Sequence, residues 1–409
     1  MPISRRIFLA SAASAASAAS AGMLAGCGEG GVTRASTSEG EVPEGAVVAF
    51  DGARQAGIET PTQSSLNLVG FNLREGADTA AIARLMRVWT ADARALCSGE
   101  TPLGSLETEM NQWPANLTIT CGFGSKVFAV AAPERTPGWL RDLPAFTRDR
   151  LDPAWGQTDL VLQICSDDPV TCAWALRHMT RAGVDYVSVA WVQQGFMNAR
   201  GTAPQGQTPR NLFGQVDGTV NPRTDTEYAE QVWIDGPDGF AGSTSLVVRR
   251  IAMDLDEWEL LDRASGEEAV GRTLDTGAPL SGGGEFTAPD MGATDGFGLP
   301  VIDKNSHMAR SMPPADHPEQ RFKRRPYNYS LPPDPGSGKL SNAGLIFIAF
   351  QKDPDVQFVP VQARLDEVDR LNTWITHIGS AVYWVPPGTG LEKGRDEYWG
   401  ESVLSARRG

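Results

Sequence analysis

Apolar and polar positions alternate along "SSLNLVGFNL" (residues 64 to 73), which predicts a strand, and the hydrophobic period then lengthens. In "DTAAIARLMRVWTADARALCSG", Ile82, Leu85, Met86, Trp89, Ala93 and Leu96 recur at helical spacing, with Asp78 as N-cap and Gly99 as the stop. That stripe is a core face. Strands follow at "NLTITCGFG" and "DLVLQICSD", then a helix at "PVTCAWALRHMTRAG" opened by Pro169, then a strand at "DYVSVAWVQQG". The order is β-α-β-β-α-β. It recurs as strand "STSLVVRRIAMDL", helix "DEWELLDRA", strand "AGLIFIAFQ", helix "LDEVDRLNTWITHIG" and strand "SAVYWVPPG". An α+β protein of two ferredoxin-like halves with antiparallel sheets is therefore expected, the halves lying at 53–222 and 223–409. Residues 281 to 340, dense in Gly, Pro and charge, are too long for a plain connection and are expected to wrap a site.

The N-terminus reads as an address rather than as fold. Arg5 and Arg6 precede Phe8-Leu9 and an Ala-rich run, the pattern of a twin-arginine export signal over residues 1–27. Leu24-Ala25-Gly26-Cys27 also fits a lipoprotein cleavage box, which would acylate Cys27 and tether the chain to a membrane; plain cleavage in the Ala/Ser run is the alternative. Residues 28–52 form a flexible tether. The expected location is outside the cytoplasm: periplasmic, extracellular or membrane-tethered.

A length of 409 residues favours two packed units, and 41% hydrophobic with 21% charged residues is ordinary globular composition. The net charge of -14 argues against nucleic acid or anionic lipid as the main partner and for a small, neutral or cationic one. Cys97, Cys121, Cys165 and Cys172 form no CxxC pair and have no zinc spacing, so they read as buried thiols or as a disulfide made after export.

The chain has four histidines. His178 and His377 fall within predicted helices, and His317 precedes Pro318 in a polar loop, which leaves His307 in "VIDKNSHMARSMPP" as the candidate metal ligand. In "GQVDGTVNP", Gly214 and Gly218 permit a bend that would bring Asp217 against a flat ligand; an ordinary Asx-turn is the alternative. Arg324 and Arg325 in "RFKRRPYNYS" occupy a strand-like segment, so only one of them enters a given pocket.

Together "NLFGQVDGTVNP", "STSLVVRRIAMDLDEW", "DKNSHMARSMP" and "KRRPYNYS" resemble the dye-decolorizing peroxidase family, most closely its twin-arginine-exported bacterial branch, over about residues 53 to 405. The resemblance implies one b-type haem, held mainly by the C-terminal half, with His307 as proximal iron ligand. It makes Asp217 the distal acid/base and Arg324, chosen over Arg325, the distal arginine that stabilises charge. Gly218, Thr219 and Val220 would follow the haem edge. The implied reaction reduces hydrogen peroxide and oxidises bulky organic or phenolic donors one electron at a time. The same branch includes deferrochelatase components of iron-uptake systems, so haem or iron handling is the alternative function. Homo-oligomers are common in the family. Where relatives often carry Asn-Pro-Arg near a haem propionate, this chain has Met312-Pro313-Pro314, so Arg310 or another base would serve. Trp384, Tyr383, Tyr327 and Tyr329 lie in matching segments and read as core before they read as an electron relay.

Overall fold

Asp78 Oδ1 accepts a hydrogen bond from Ala81 N at 2.7 Å, and helix α1 (Thr79–Ser98) starts and ends where its cap and Gly99 predict. It follows strand β1 (Ser65–Leu73). The computed structural model describes residues 47–202, 207–236 and 240–405; the export signal, Cys27 and most of the tether lie outside them. Next come β2 (Thr118–Phe123), α2 (Ser125–Ala131), β3 (Leu160–Ser166), α3 (Pro169–Ala182) and β4 (Val187–Phe196). The second half runs α4 (Asp225–Gln231), β5 (Thr244–Met253), α5 (Leu255–Trp258), α6 (Arg263–Val270), α7 (His307–Ser311), β6 (Lys323–Arg324), β7 (Tyr327–Leu331), β8 (Asn342–Gln351), α8 (Phe358–Val368), β9 (Ile375–Val385) and α9 (Glu401–Leu404).

Within the first half the strands lie in the order β2-β3-β1-β4, and within the second β9-β5-β8-β7, the same antiparallel ferredoxin-like arrangement twice. The halves are joined by single residue pairs, Phe123 with Trp384 and Phe196 with Asn328. Since β5 also pairs with β8, the strands close into a ring, with β6 continuing the line of β7 along β8. Large apolar clusters fill the core, where Tyr327, Tyr329, Tyr383 and Trp384 are fully buried, alongside buried Arg249, Arg250 and Arg325. All four described cysteines are buried free thiols.

Two sequence expectations are corrected. The predicted helix "DEWELLDRA" breaks in two, because Asp262 accepts from Ser265 N and caps a new helix at Arg263. The predicted helix "LDEVDRLNTWITHIG" is displaced: α8 begins at Phe358, a short 3-10 turn spans Arg370–Thr373, and Ile375 already belongs to β9. His377 is thus a strand residue, facing neighbours rather than capping a helix.

Candidate active site

The Asp217 loop is held by its own backbone and by one side chain. Asp217 N donates to Pro209 O at 2.9 Å and Asn221 N to Gly218 O at 3.1 Å. Gly218 has φ 128, a conformation L side chains rarely adopt, so the bend depends on that glycine. Asn221 clamps the loop to β6: its Nδ2 donates to Arg324 O at 2.8 Å and its Oδ1 accepts from Arg324 N at 2.7 Å. With both backbones fixed, Arg324 Nη1 comes 2.9 Å from Asp217 Oδ1, the side chains being 21% and 12% exposed. The approach is not that of a directed hydrogen bond, and Oδ1 stays buried without a donor. Among the described residues no backbone N–H donates to the Asp217 side chain, so an Asx-turn does not account for it.

Arg325 points the other way, as strand alternation requires. Fully buried, it donates to Thr60 O, Pro61 O and Gln63 Oε1, a structural role. Gly218 lines the cleft beside Asp217. Thr219 donates through Oγ1 to Glu285 at 3.0 Å, and Val220 is 69% exposed.

His307 opens the short helix α7, capped by the buried Ser306, and a Cβ at Gly271 (φ 87) would meet Ser306 Oγ at 2.7 Å. This close packing fixes the backbone beneath the imidazole. Nδ1 lies 2.6 Å from Asp369 Oδ2, while Asp369 Oδ1 accepts from Leu371 N at 2.9 Å. A carboxylate only accepts, so Nδ1 carries a proton, and in the neutral ring it is Nε2 that presents the lone pair. Nε2 has no protein partner among the described residues. Burial disfavours the imidazolium, yet the Asp369 carboxylate overcomes it and holds the His307 pKa above the ordinary histidine value; Arg324 and Asp217 both lie close enough to act on it.

These features fit a flat iron-bearing group. The His307 side chain is 30% exposed, and Asp217 Oδ1 is a buried acceptor without a directed donor. The apolar cluster of Ile251, Met253, Val270, Leu345 and Leu371 draws on the strands and on the segments that flank His307 and Asp369. Arg310, a candidate propionate base, is engaged by Glu367 at 2.5 Å and by Arg364 O at 3.1 Å. His178 pairs with Asp92 in the first half, and His317 is half exposed beside Glu319.

Comparison with known proteins places the chain in a family. Residues 55–197 match the family described as Dyp-type peroxidase, N-terminal, and residues 208–390 the one described as Dyp-type peroxidase, C-terminal. The chain belongs to the Dyp-type peroxidase family. It is 37% identical over 359 residues to a dye-decolorizing peroxidase of Thermobifida fusca, covering 82% of this chain and 81% of that one. It is 32% identical over 375 residues to the deferrochelatase of Escherichia coli K12, covering 87% and 86%. The crystal structure of a DyP-type peroxidase from Cellulomonas bogoriensis superposes with a TM-score of 0.83 at 45% identity, over 88% of this chain and 98% of that one. At 19% identity and a TM-score of 0.61, Rhodococcus jostii DypB in complex with heme shares the fold.

Sequence reasoning brought together Asp217, Arg324 and His307, and missed Asn221 and Asp369. Asn221 sat inside the quoted "TVNP" and could have been weighed there. Asp369 gave no signal, since an acid in "LDEVDRLNTW" reads as a solvated helix face.

Proposed function

We propose that the protein is a haem-dependent peroxidase that reduces hydrogen peroxide and oxidises organic donors, in which His307 would hold the iron and Asp217 and Arg324 would act on the peroxide. The observation that carries this reading is the Arg324–Asp217 pair at 2.9 Å, set within electrostatic reach of an imidazole whose Nε2 is unpartnered. Haem, when bound, supplies a centre that takes up two oxidising equivalents from peroxide and returns them singly.

The chain's own residues do the rest. Asp369 fixes the tautomer that exposes the His307 lone pair. Asp217 Oδ1, buried and without a donor, takes a proton from the near oxygen of peroxide and returns it to the departing one. The guanidinium of Arg324 stabilises negative charge as it builds on that leaving oxygen. Asn221 keeps loop and strand in register, so that acid and cation act at one point.

Haemin-reconstituted protein mixed rapidly with peroxide tests the roles. Asp217→Asn and Arg324→Leu should retain the Soret band and slow its peroxide-driven change by about 10²- to 10⁴-fold. Unchanged rates in both variants would move proton transfer elsewhere.

The likeness to a deferrochelatase supports a second reading, in which haem is cargo of an iron-uptake system. Release of iron with intact porphyrin, in place of steady donor turnover, would favour it. Export by the twin-arginine route, with or without acylation of Cys27, and assembly into homo-oligomers remain part of the proposal; they rest on the leader sequence and on the family likeness.

A further inference from the structure

Beside the Asp217–Arg324 pair lies a cleft of about 490 Å³, a volume suited to a one- or two-ring molecule. Its walls carry Lys323, Arg223 and Phe286, together with Pro61, Pro209 and Pro326. The charges are unbalanced. Asp217 is the one acid lining the cleft among the described residues, and Arg324 already pairs with it. Glu59, the acid felt by Lys323 from outside, is taken by Arg54 and by Trp233 Nε1, each at 2.6 Å.

Among the described residues, Lys323 therefore has no carboxylate within ion-pair distance, while Arg223 feels only Glu227, outside the cleft lining, whose carboxylate accepts from Arg223 N at 2.8 Å. Arg223 stacks over one face of the Phe286 ring at 3.7 Å and donates one hydrogen bond to Thr219 O at 3.2 Å, while Phe286 stays half exposed. Burial, then the nearby guanidinium groups of Arg325 and Arg324, depress the Lys323 pKa to about 8. A half-buried ammonium facing the cleft without a counter-charge is unfavourable, and an incoming anion relieves it. On a chain of net charge -14 this is a local positive site.

We infer that this cleft binds a small aromatic carboxylate, with Lys323 and Arg223 receiving the anionic group and Phe286 and the neighbouring prolines receiving the ring. The inference rests on the peroxidase reading for its meaning, since a phenolic acid so placed would be an electron donor held next to the distal pair. As a binding site it stands on the cleft alone. Lys323 and Arg223 here set specificity and do not touch the reacting oxygen atoms.

Calorimetric titration of the ferric holoprotein without peroxide, using 4-hydroxybenzoate and its neutral analogue 4-hydroxybenzyl alcohol, provides the test. The benzoate should bind more tightly, and added NaCl should weaken it selectively. Lys323→Met should lower benzoate affinity about tenfold with little effect on the alcohol, and Lys323→Arg should recover most of the loss. Arg223→Gln provides a second variant should Lys323→Met fold poorly. Equal affinities for the two ligands, or benzoate binding untouched by both Lys323→Met and Arg223→Gln, would overturn the inference. The peroxide-driven Soret change in the same preparations separates the two claims: if it persists without anion selectivity, only the cleft assignment fails. If it is missing while selectivity holds, the cleft stands and the peroxidase reading fails.

Discussion

Asp369→Asn isolates what a negative charge beneath His307 contributes, because the replacement has nearly the same shape. The wild-type carboxylate accepts twice, from His307 Nδ1 at 2.6 Å and from Leu371 N at 2.9 Å. An amide has only one accepting atom. If that oxygen stays on Leu371, the NH₂ faces Nδ1 and drives the imidazole proton to Nε2, which then cannot ligate iron. If the amide turns over, the 3-10 turn at Arg370–Thr373 loses its cap, worth about 1 kcal/mol, and the ring loses a charge-assisted bond worth about 1.5–3 kcal/mol. Either way haem affinity should fall about 10- to 100-fold. Haemin titration of the apoprotein, followed at the Soret band, measures this directly. Asp366→Asn is the control, because that carboxylate serves Thr147 and Arg148 and makes no bond to His307. Equal affinity and identical axial-ligand spectra for Asp369→Asn and wild type would refute the reasoning.

Arg325→Leu should act through stability. It strips the donors from Thr60 O and Gln63 Oε1 at a fully buried site, a loss of about 3 kcal/mol in urea unfolding, and a wild-type midpoint would contradict the structural role assigned here. Acid should weaken the fold through His377, whose pKa burial and then Arg249 push down to about 3. The unfolded chain binds this proton first, so stability falls as pH drops from about 6.5 toward 3. The His307 shift has the opposite sign: its stabilisation is fully present below the unfolded value and is lost as pH rises through the raised folded one. His377→Gln should flatten the acid limb of the stability profile, and parallel acid limbs for variant and wild type would exclude His377 as its source.

Much of the fold was legible because its signals are local. Asp78 and Gly99 bracket α1, Pro169 opens α3, and the strands of both halves carry their apolar content within a few residues. The stretch from Phe358 to Gly379 misled because Leu365, Val368, Leu371 and Trp374 continue a helical spacing that the chain does not follow. Asp369 ends the helix there by turning its carboxylate to His307 and Leu371 N, partners that period alone cannot reveal. The site was half legible for the same reason. Asp217 sits in a turn with its own glycines, whereas Asn221 and Asp369 matter through partners 103 and 62 residues away. The choice of Arg324 over Arg325 needed the strand's facing, which pairs Arg324 with Ala349 on β8 and turns Arg325 toward Gln63.

The ring of strands has two seams, each one residue pair wide, between panels that are zipped over many residues. Thermal breathing should therefore part the barrel at Phe123–Trp384 and Phe196–Asn328 while each panel stays whole. Arg324 lies on β6, at the panel edge that also carries β7, yet its ladder partner is β8 of the same panel and Asn221 ties its backbone to the Asp217 loop, so its aim toward Asp217 survives such opening. Backbone amides along the seams should exchange with deuterium sooner than those shared by β5 and β8.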